Sequence, residues 1–293
     1  MCSQETEHVL FDLHTHSNFS DGALPPRELV AAACDCGITH LAITDHDNYF
    51  AIEQLLNEDA AAVTGQHKQL QIISGAEFST RWESTDVHVL ALNFPLDSVG
   101  IKELVQYQIQ ARDLRNTKIL DKLSRAGVEV DKLSPTSEVT QLGRVHIAQS
   151  LVKAGYVKNP QQAFKKYLGR SGRAYVKSDW ASLRDVIDTI NEAGGTAVLA
   201  HPLKYKLTRV KLTRLVEDFA ALGGTAIEVI SGKQPIADTT VLADLSLRLN
   251  LGASLGSDFH SPGQPWSALG CAGELPRRCI PVWEQWRSIR AAV

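Results

Sequence analysis

The chain has 293 residues, 44% of them apolar and 22% charged, with a formal net charge of −3. That size suits one large domain or a domain with an insertion, and the near-neutral balance argues against a general nucleic-acid binder. No apolar run approaches the roughly 18 residues of a membrane span, and Met1-Cys2-Ser3-Gln4-Glu5 lacks the basic and apolar regions of a signal peptide, so a cytoplasmic location is expected.

In chain order, Val9-Leu10-Phe11 reads as a buried strand running into Asp12-Leu13-His14-Thr15-His16-Ser17, with Asp21 just behind it. Residues two apart in an extended segment project to one side, so His14 and His16 can share a metal ion. Pro25-Pro26 opens a helix over 27–36 that Gly37 stops. Residues 39–44 predict a strand ending in Asp45-His46-Asp47, followed by a helix over 50–56. A third strand, 70–76, ends in Glu77, and a fourth, 87–92, holds His88. Strands over 196–200, 225–230 and 251–257 come later, the first ending in His201-Pro202 and the last in Asp258-Phe259-His260. Helical patterns at 183–193, 212–222 and 239–249 separate them.

Short apolar strands alternating with helices predict an α/β fold with a parallel sheet covered on both faces. Seven such units predict a closed or nearly closed TIM-like barrel. An open doubly wound sheet competes less well, because polar residues end nearly every strand and do not gather at one switch point. Residues 101–175 break the alternation: 101–126 is one long amphipathic helical pattern, with more helix at 146–154 and 159–168. The expected organisation is a barrel from 1–100 and 176–293, interrupted by a helical insertion at 101–175 that covers the strand-end mouth.

Charge marks the insertion. From Val139 to Ser178 there is no Asp or Glu, yet the stretch holds Arg144, Lys153, Lys158, Lys165, Lys166, Arg170, Arg173 and Lys177. The remainder carries 22 Lys and Arg against 33 Asp and Glu, a net of −11. The five cysteines, Cys2, Cys34, Cys36, Cys271 and Cys279, are odd in number and argue against a disulfide framework. Cys34-x-Cys36 lies in an Ala-rich helical pattern and reads as small buried residues, not a zinc knuckle. Val282-Trp283 with Trp286 forms an amphipathic end expected to dock on the barrel.

The strand ends together present His14, His16, Asp21, His46, Glu77, His88, His201, Asp258 and His260, which include six of the ten histidines. In TIM-like barrels chemistry is built at that end. Nine nitrogen and oxygen donors exceed the need of one metal and suit two or three. Imidazole and carboxylate without cysteine suit zinc, manganese or iron. Taken singly, His88 would be a hydrogen-bonded core histidine and Asp21 a loop cap. Asp45 and Asp47 read as partners behind the ligands or as solvated loop residues, Asp47 as the latter. His8, His40 and His67 are assigned to the surface.

These motifs, with Asp21-Gly22, Ile43-Thr44-Asp45-His46-Asp47, Gly75-Ala76-Glu77, Ala200-His201-Pro202 and Ser257-Asp258-Phe259-His260, resemble the PHP (polymerase and histidinol phosphatase) family along the whole barrel. The resemblance implies a distorted (β/α)7 barrel with a trinuclear site. It would place His14, His16, Glu77 and Asp258 on one metal, Glu77, His88 and His201 on a second with Glu77 bridging, and Asp21, His46 and His260 on the third. Manganese is the implied activator, with zinc, iron and magnesium as alternatives. The insertion, at residues 143–148, 164–169 and 174–177, is similar to a branch of 3′,5′-nucleoside bisphosphate phosphatases, active also on AMP, and of 5′→3′ exoribonucleases.

The expected chemistry is attack on a nucleotide phosphate by a water that the metals acidify. Arg144 and Lys177 bracket the acid-free stretch and match the phosphate-contacting positions that the resemblance suggests, with His146 a weaker candidate. Arg170 and Arg173 read as a solvated turn or as contacts to a second phosphate. The leading substrates are 3′,5′-bisphosphate nucleotides and AMP. A 5′→3′ exoribonuclease on 5′-monophosphorylated RNA is the alternative, with Tyr156, Tyr167, Tyr175 and Trp180 as stacking candidates. A histidinol-phosphatase-like activity and a non-catalytic scaffold rank below these. No membrane and no protein partner is expected.

Overall fold

The computed structural model describes residues 9–58, 70–133, 141–286 and 289. His8 and His67 lie outside the described residues. Three parallel strands, β1 (Phe11–Thr15), β2 (His40–Ile43) and β3 (Gln71–Ile73), form one sheet in that order. Five more, β4 (Gly75–Trp82), β5 (Thr85–Leu92), β6 (Thr196–Leu199), β7 (Ala226–Ser231) and β8 (Gly252–Gly256), form a second. The two sheets meet at their strand ends. His16 N–H donates to Phe259 O at 2.9 Å and Asp258 N–H to His14 O at 2.8 Å, joining β1 to β8. Asp47 N–H donates to Glu77 O at 2.9 Å, joining the end of β2 to β4.

Two expectations change. The pairing is mixed, since β4–β5 and β5–β6 are antiparallel and only β6–β7–β8 is parallel in the second sheet. The predicted third strand is also two strands, and Glu77 is the third residue of β4, not the end of β3. The hairpin was hidden by its turn. Trp82 pairs with Thr85, so the loop is Glu83-Ser84, and Glu83 takes a φ of 49°. Sequence patterns flag such turns by Gly, Asn or Asp, not Glu.

Helices α1 (Pro26–Asp35), α2 (Phe50–Leu56), α6 (Leu183–Glu192), α7 (Arg209–Ala221) and α8 (Ile236–Arg248) lie within a few residues of the predicted spans; between α2 and α6 come α3 (Val99–Arg125), α4 (Arg144–Lys153) and α5 (Pro160–Ala163), the last continued by a π-turn over Phe164–Leu168. Two apolar cores result. The larger joins the strands to α1, α2, α6, α7 and α8, and α3 enters it through Ile101, Leu104 and Val105. The smaller contains Ile119 and Leu123 from the far half of α3, Ile147 and Leu151 from α4, and Tyr167 and Leu168. At 27 residues, α3 is about 40 Å long and keys into both. The C-terminal segment packs as expected: Trp283 stacks on Phe11 with centroids 3.9 Å apart, and Trp286 Nε1–H donates to Thr196 Oγ1 at 2.8 Å. Cys34 is buried in α1 and Cys36 caps it. His40, expected at the surface, is half-buried and stacked on Phe11.

Candidate active site

The first motif shows how the strands aim their side chains. Asp12 does not reach the centre. Its carboxylate accepts from Ser257 N–H at 2.8 Å and Gly270 N–H at 3.0 Å, clamping β1 to the segments after β8. His14 and His16 point inward and are fully buried. The backbone of β8 passes so close that a Cβ at Gly256 would lie 2.3 Å from His14 Cβ; only glycine fits there.

Glu77 is the hub. Its Oε1 lies 2.8 Å from His88 Nδ1 and 2.9 Å from His201 Nε2. Its Oε2 lies 3.0 Å from His46 Nδ1, 3.4 Å from His16 Nε2 and 3.5 Å from His14 Nε2. Asp258 Oδ1 is 3.2 Å from His16 Nε2 and 3.4 Å from His14 Nε2. Asp21 reaches His260 Nε2 at 3.3 Å and His46 Nε2 at 3.8 Å. All nine predicted side chains therefore converge. They fall into overlapping groups able to grip a cation: His16, Asp21, His46 and His260; His14, His16 and Glu77; His14, His201 and Asp258; His46, Glu77 and His88.

The donor set fits divalent ions. His14 Nε2, His16 Nε2, His46 Nδ1, Glu77 Oε2 and Asp21 Oδ1 are buried without a hydrogen-bond partner. Buried polar atoms are nearly always satisfied, and unsatisfied imidazole and carboxylate lone pairs aimed at one interior are what a hard or borderline cation neutralises. The charge state agrees. Burial disfavours the Glu77 carboxylate, but His88, His46 and His14 outweigh it and hold its pKa well below the usual range. Asp258 and Asp21 are also held down against burial, by His14 with the His16 hydrogen bond and by His260 with His46 respectively. Burial and the adjacent His260 push His16 to about 3, keeping it a neutral ligand.

Residues behind the cluster fix it in place. Glu228, a fully buried carboxylate inside β7, sits 3.0 Å from His14 Nδ1 and accepts from His201 N–H at 2.5 Å. With Nδ1–H donating to Glu228, His14 must turn Nε2 inward. Asp45 accepts from Ser17 N–H and from the Ser17 and Ser20 hydroxyls at 2.9, 2.6 and 2.5 Å. Asp47, expected to be solvated, is buried. It takes a φ of 58°, accepts from Ser79 N–H at 2.7 Å and Gln108 Nε2 at 3.0 Å, and pairs with Arg112. The neighbouring strands surround it so closely that it serves as an internal counter-ion.

Beside the cluster opens a cavity of about 210 Å³. Asp21, His46 and His88 line one side, and Arg112, Arg115, Arg144 and His146 another. Arg144 and His146 thus reach the site; His146 Nδ1 also accepts from Gly143 N–H at 2.9 Å and caps α4. Arg115 donates to Ser178 Oγ at 3.3 Å, and neither it nor Arg144 forms an ion pair among the described residues. Burial, then the charges of Arg112 and Arg144, push the Arg115 pKa down to about 8. Trp180 lies under both guanidinium groups of α3, 5.2 Å from Arg112 Cζ and 4.7 Å from Arg115 Cζ. Lys177 is not brought here; it is exposed and lines a shallow depression of about 140 Å³ with Tyr107, Leu114 and Lys118. Arg170 and Arg173 are exposed on the turn after the π-helix. Sequence reasoning missed Arg112, Arg115, Glu228 and Lys204, which pairs with Asp258, while Trp180, a stacking candidate from sequence, does line the cavity. Gln108, Arg112, Arg115 and Asn116 are one buried polar stripe at helical spacing, a signal that was available. So was a lone carboxylate within Ala226-Ile227-Glu228-Val229.

The PHP domain model matches residues 12–195, from the first motif to the start of β6, and leaves His201, Asp258 and His260 beyond its end. Relatives carry the likeness through them. A 5′-3′ exoribonuclease of Haemophilus influenzae is 39% identical over 94% of this chain and 98% of its own length. A 3′,5′-nucleoside bisphosphate phosphatase of Chromobacterium violaceum is 35% identical over 94% of this chain and 95% of its own length. Among solved structures, an amidohydrolase from Chromobacterium violaceum with bound sulfate and no metal superposes with a TM-score of 0.81, 35% identity and 94% coverage of both chains. Ligand-bearing strand ends, a family match over more than half the chain and relatives spanning nearly all of it agree: this chain belongs to the PHP domain family and is a hydrolase of phosphate esters.

Proposed function

We propose that this chain hydrolyses the P–O3′ bond of a nucleotide that also carries a 5′-phosphate. The observation that carries this reading is the pairing of a buried imidazole–carboxylate cluster with a cavity lined by three guanidinium groups, two of them, Arg115 and Arg144, without an ion-pair partner among the described residues. The reading assigns His14, His16, Glu77 and Asp258 to one divalent ion, Glu77, His88 and His201 to a second, and Asp21, His46 and His260 to a third, with manganese the preferred metal. Bound ions supply Lewis acidity toward the phosphoryl oxygens and a water acidic enough to react near neutral pH. The protein's own part is to place the two phosphates. Arg144 and Arg115, neither in an ion pair among the described residues although Asp86 also lines the cavity, hold the 5′-phosphate through forked hydrogen bonds. Arg112 stays paired to Asp47 and props the wall. The 3′-phosphate then lies against Glu77, His46 and His88.

In the reaction the water oxygen ends on phosphorus, the P–O3′ bond breaks and the 3′-oxygen takes up a proton. A 3′,5′-bisphosphate gives a 5′-mononucleotide and inorganic phosphate. A 5′-phosphorylated RNA gives the same mononucleotide and a strand one residue shorter with a new 5′-phosphate. One bond serves both, which is how relatives at 39% and 35% identity can bear the two different names. The reading extends to architecture. We take the two sheets as halves of one distorted (β/α)7 barrel, supported by the bonds joining β1 to β8 and β2 to β4. We take 101–175 as an insertion over its mouth, supported by the second apolar core and by the entry of Arg144 into the cavity.

The test is phosphate and mononucleotide release from adenosine 3′,5′-bisphosphate, AMP and a short 5′-phosphorylated RNA with manganese, magnesium or zinc. Manganese-dependent cleavage of the bisphosphate or the RNA, abolished by chelator, is expected. Turnover indifferent to chelator, or no cleavage of either, would falsify the reading.

A further inference from the structure

If the 5′-phosphate occupies the arginine cavity and the scissile phosphorus lies at the cluster, the rest of an RNA strand must leave on the side away from that cavity. Two features outside the lining of the arginine cavity have no role so far. Lys204 stands on the 3₁₀ turn Pro202–Tyr205, directly after His201. Tyr205 anchors the turn, its hydroxyl donating to Ala200 O and accepting from His88 N–H, each at 2.8 Å. The Lys204 ammonium meets Asp258 Oδ2 while Oδ1 faces His14 and His16, yet the lysine side chain is 51% exposed against 8% for Asp258. Lys204 does not line the arginine cavity.

The second feature is Trp266, in the loop that leaves His260, which is 61% exposed. Its carbonyl accepts from Lys233 N–H at 2.7 Å. Gly232 is wedged between it and the end of β8: a Cβ there would lie 2.4 Å from Trp266 O and 3.2 Å from Ser257 O. Trp266 is therefore held one glycine away from the residue before Asp258, and Lys204 grips Asp258 itself. A cation contacts Asp258, and the backbone of an exposed tryptophan passes one glycine from the residue before it.

We propose that Lys204 and Trp266 form the subsite for the nucleotide that follows the scissile phosphate, Lys204 contacting a backbone phosphate and Trp266 stacking a base. This rests on the reading above and names single-stranded RNA as the occupant. An aromatic face with an adjacent cation binds any base in sequence-tolerant fashion. The other large opening, a groove of about 790 Å³ between α3 and α6, shares Trp180 with the arginine cavity but is lined by Glu103, Asp185 and Glu192 without a lysine or arginine, and repels a polyanion.

The experiment compares the manganese-loaded full chain with Lys204→Ala and Trp266→Ala on two substrates, adenosine 3′,5′-bisphosphate and a 5′-phosphorylated trinucleotide. Each variant is expected to lose about tenfold more kcat/KM on the trinucleotide than on the bisphosphate. Binding is read separately by anisotropy of a 3′-labelled, 5′-phosphorylated hexanucleotide with a phosphorothioate at its first linkage. Lys204→Ala should lower the slope of log affinity against log salt by about 0.7, one phosphate contact on a single strand, and Lys204→Arg should restore it. Equal losses on both substrates would mean that Lys204 only steadies Asp258, and would overturn the proposal, as would unchanged hexanucleotide binding in both variants. If neither substrate is cleaved, the proposed function fails while the anisotropy arm still decides this one.

Discussion

Two buried clusters of charge lie side by side in this molecule and are built in opposite ways. The imidazole–carboxylate cluster gathers from six strands, Glu77 and His88 from within β4 and β5 and the rest from strand ends and the loops after them, with imidazoles facing carboxylates across the centre. The guanidinium cluster comes from one face of α3 and the first turn of α4, and two of its three members have no counter-ion among the described residues. The first sets imidazoles against carboxylates and comes near electrostatic balance; the second carries surplus positive charge held in place by packing. Hydrolysis of a doubly phosphorylated nucleotide needs both: a place where phosphorus reacts and a place where the other phosphate is merely held.

Substitutions in the two clusters should part company. The largest effect is expected from Glu77→Ala, which removes the carboxylate shared by five imidazoles: kcat falls by roughly 10³-fold or more, with metal content per chain, read by elemental analysis, reduced as well. Arg112→Met leaves Asp47 as a buried charge without its partner and should lower unfolding free energy by about 3–5 kcal/mol in denaturant titrations. Arg144→Ala should reduce kcat/KM for a 3′,5′-bisphosphate by about 10- to 100-fold, the equivalent of a charged hydrogen bond, and change a simple aryl phosphate far less. Glu228→Gln should weaken metal binding by about 10- to 100-fold in a competition titration while leaving the arginine cavity intact.

The smallest effect tests the surplus charge and has an unusual sign. Folding lowers the Arg115 pKa from 12.5 to about 8. A group that binds its proton less tightly when folded destabilises the folded state fully below the folded pKa, and this penalty fades as pH rises from about 8 toward 12.5. Arg115→Met should therefore be more stable than the parent at pH 7, each kcal/mol recovered raising Tm by about 2–4 °C, while cleavage of the bisphosphate is impaired. A lower Tm in that variant would show that the Trp180 stacking and the Ser178 hydrogen bond outweigh the cost of burying the charge.

The same contrast explains what could be read from sequence. His14, His16, His46, Glu77, His201, Asp258 and His260 were legible because each follows or ends an apolar run, and strand ends are one-dimensional signals. The arginines of α3 were not, because the helix was read by its apolar stripe while a second buried stripe of Gln108, Arg112, Arg115 and Asn116 ran alongside it. Asp47 was misjudged because a charged residue beside a ligand looks like loop; its burial depends on Ser79 and Gln108 from elements distant in sequence. Lys177 drew attention by standing in an acid-free stretch, but net charge along the chain does not say which way a side chain faces. The hairpin β4–β5 escaped because its turn uses a glutamate in left-handed backbone where pattern expects glycine or asparagine.

The long helix has one more consequence. Its near half is locked in the core beneath the strands and its far half in the separate core of residues 119–174, with Arg112 and Arg115 midway between. A rod clamped at both ends transmits small tilts to its middle. Hollowing the distant core, for instance by shortening Leu123, would shift the cavity-lining arginines without touching them. On the proposed reading, packing two turns away would then tune how tightly the nucleotide is held.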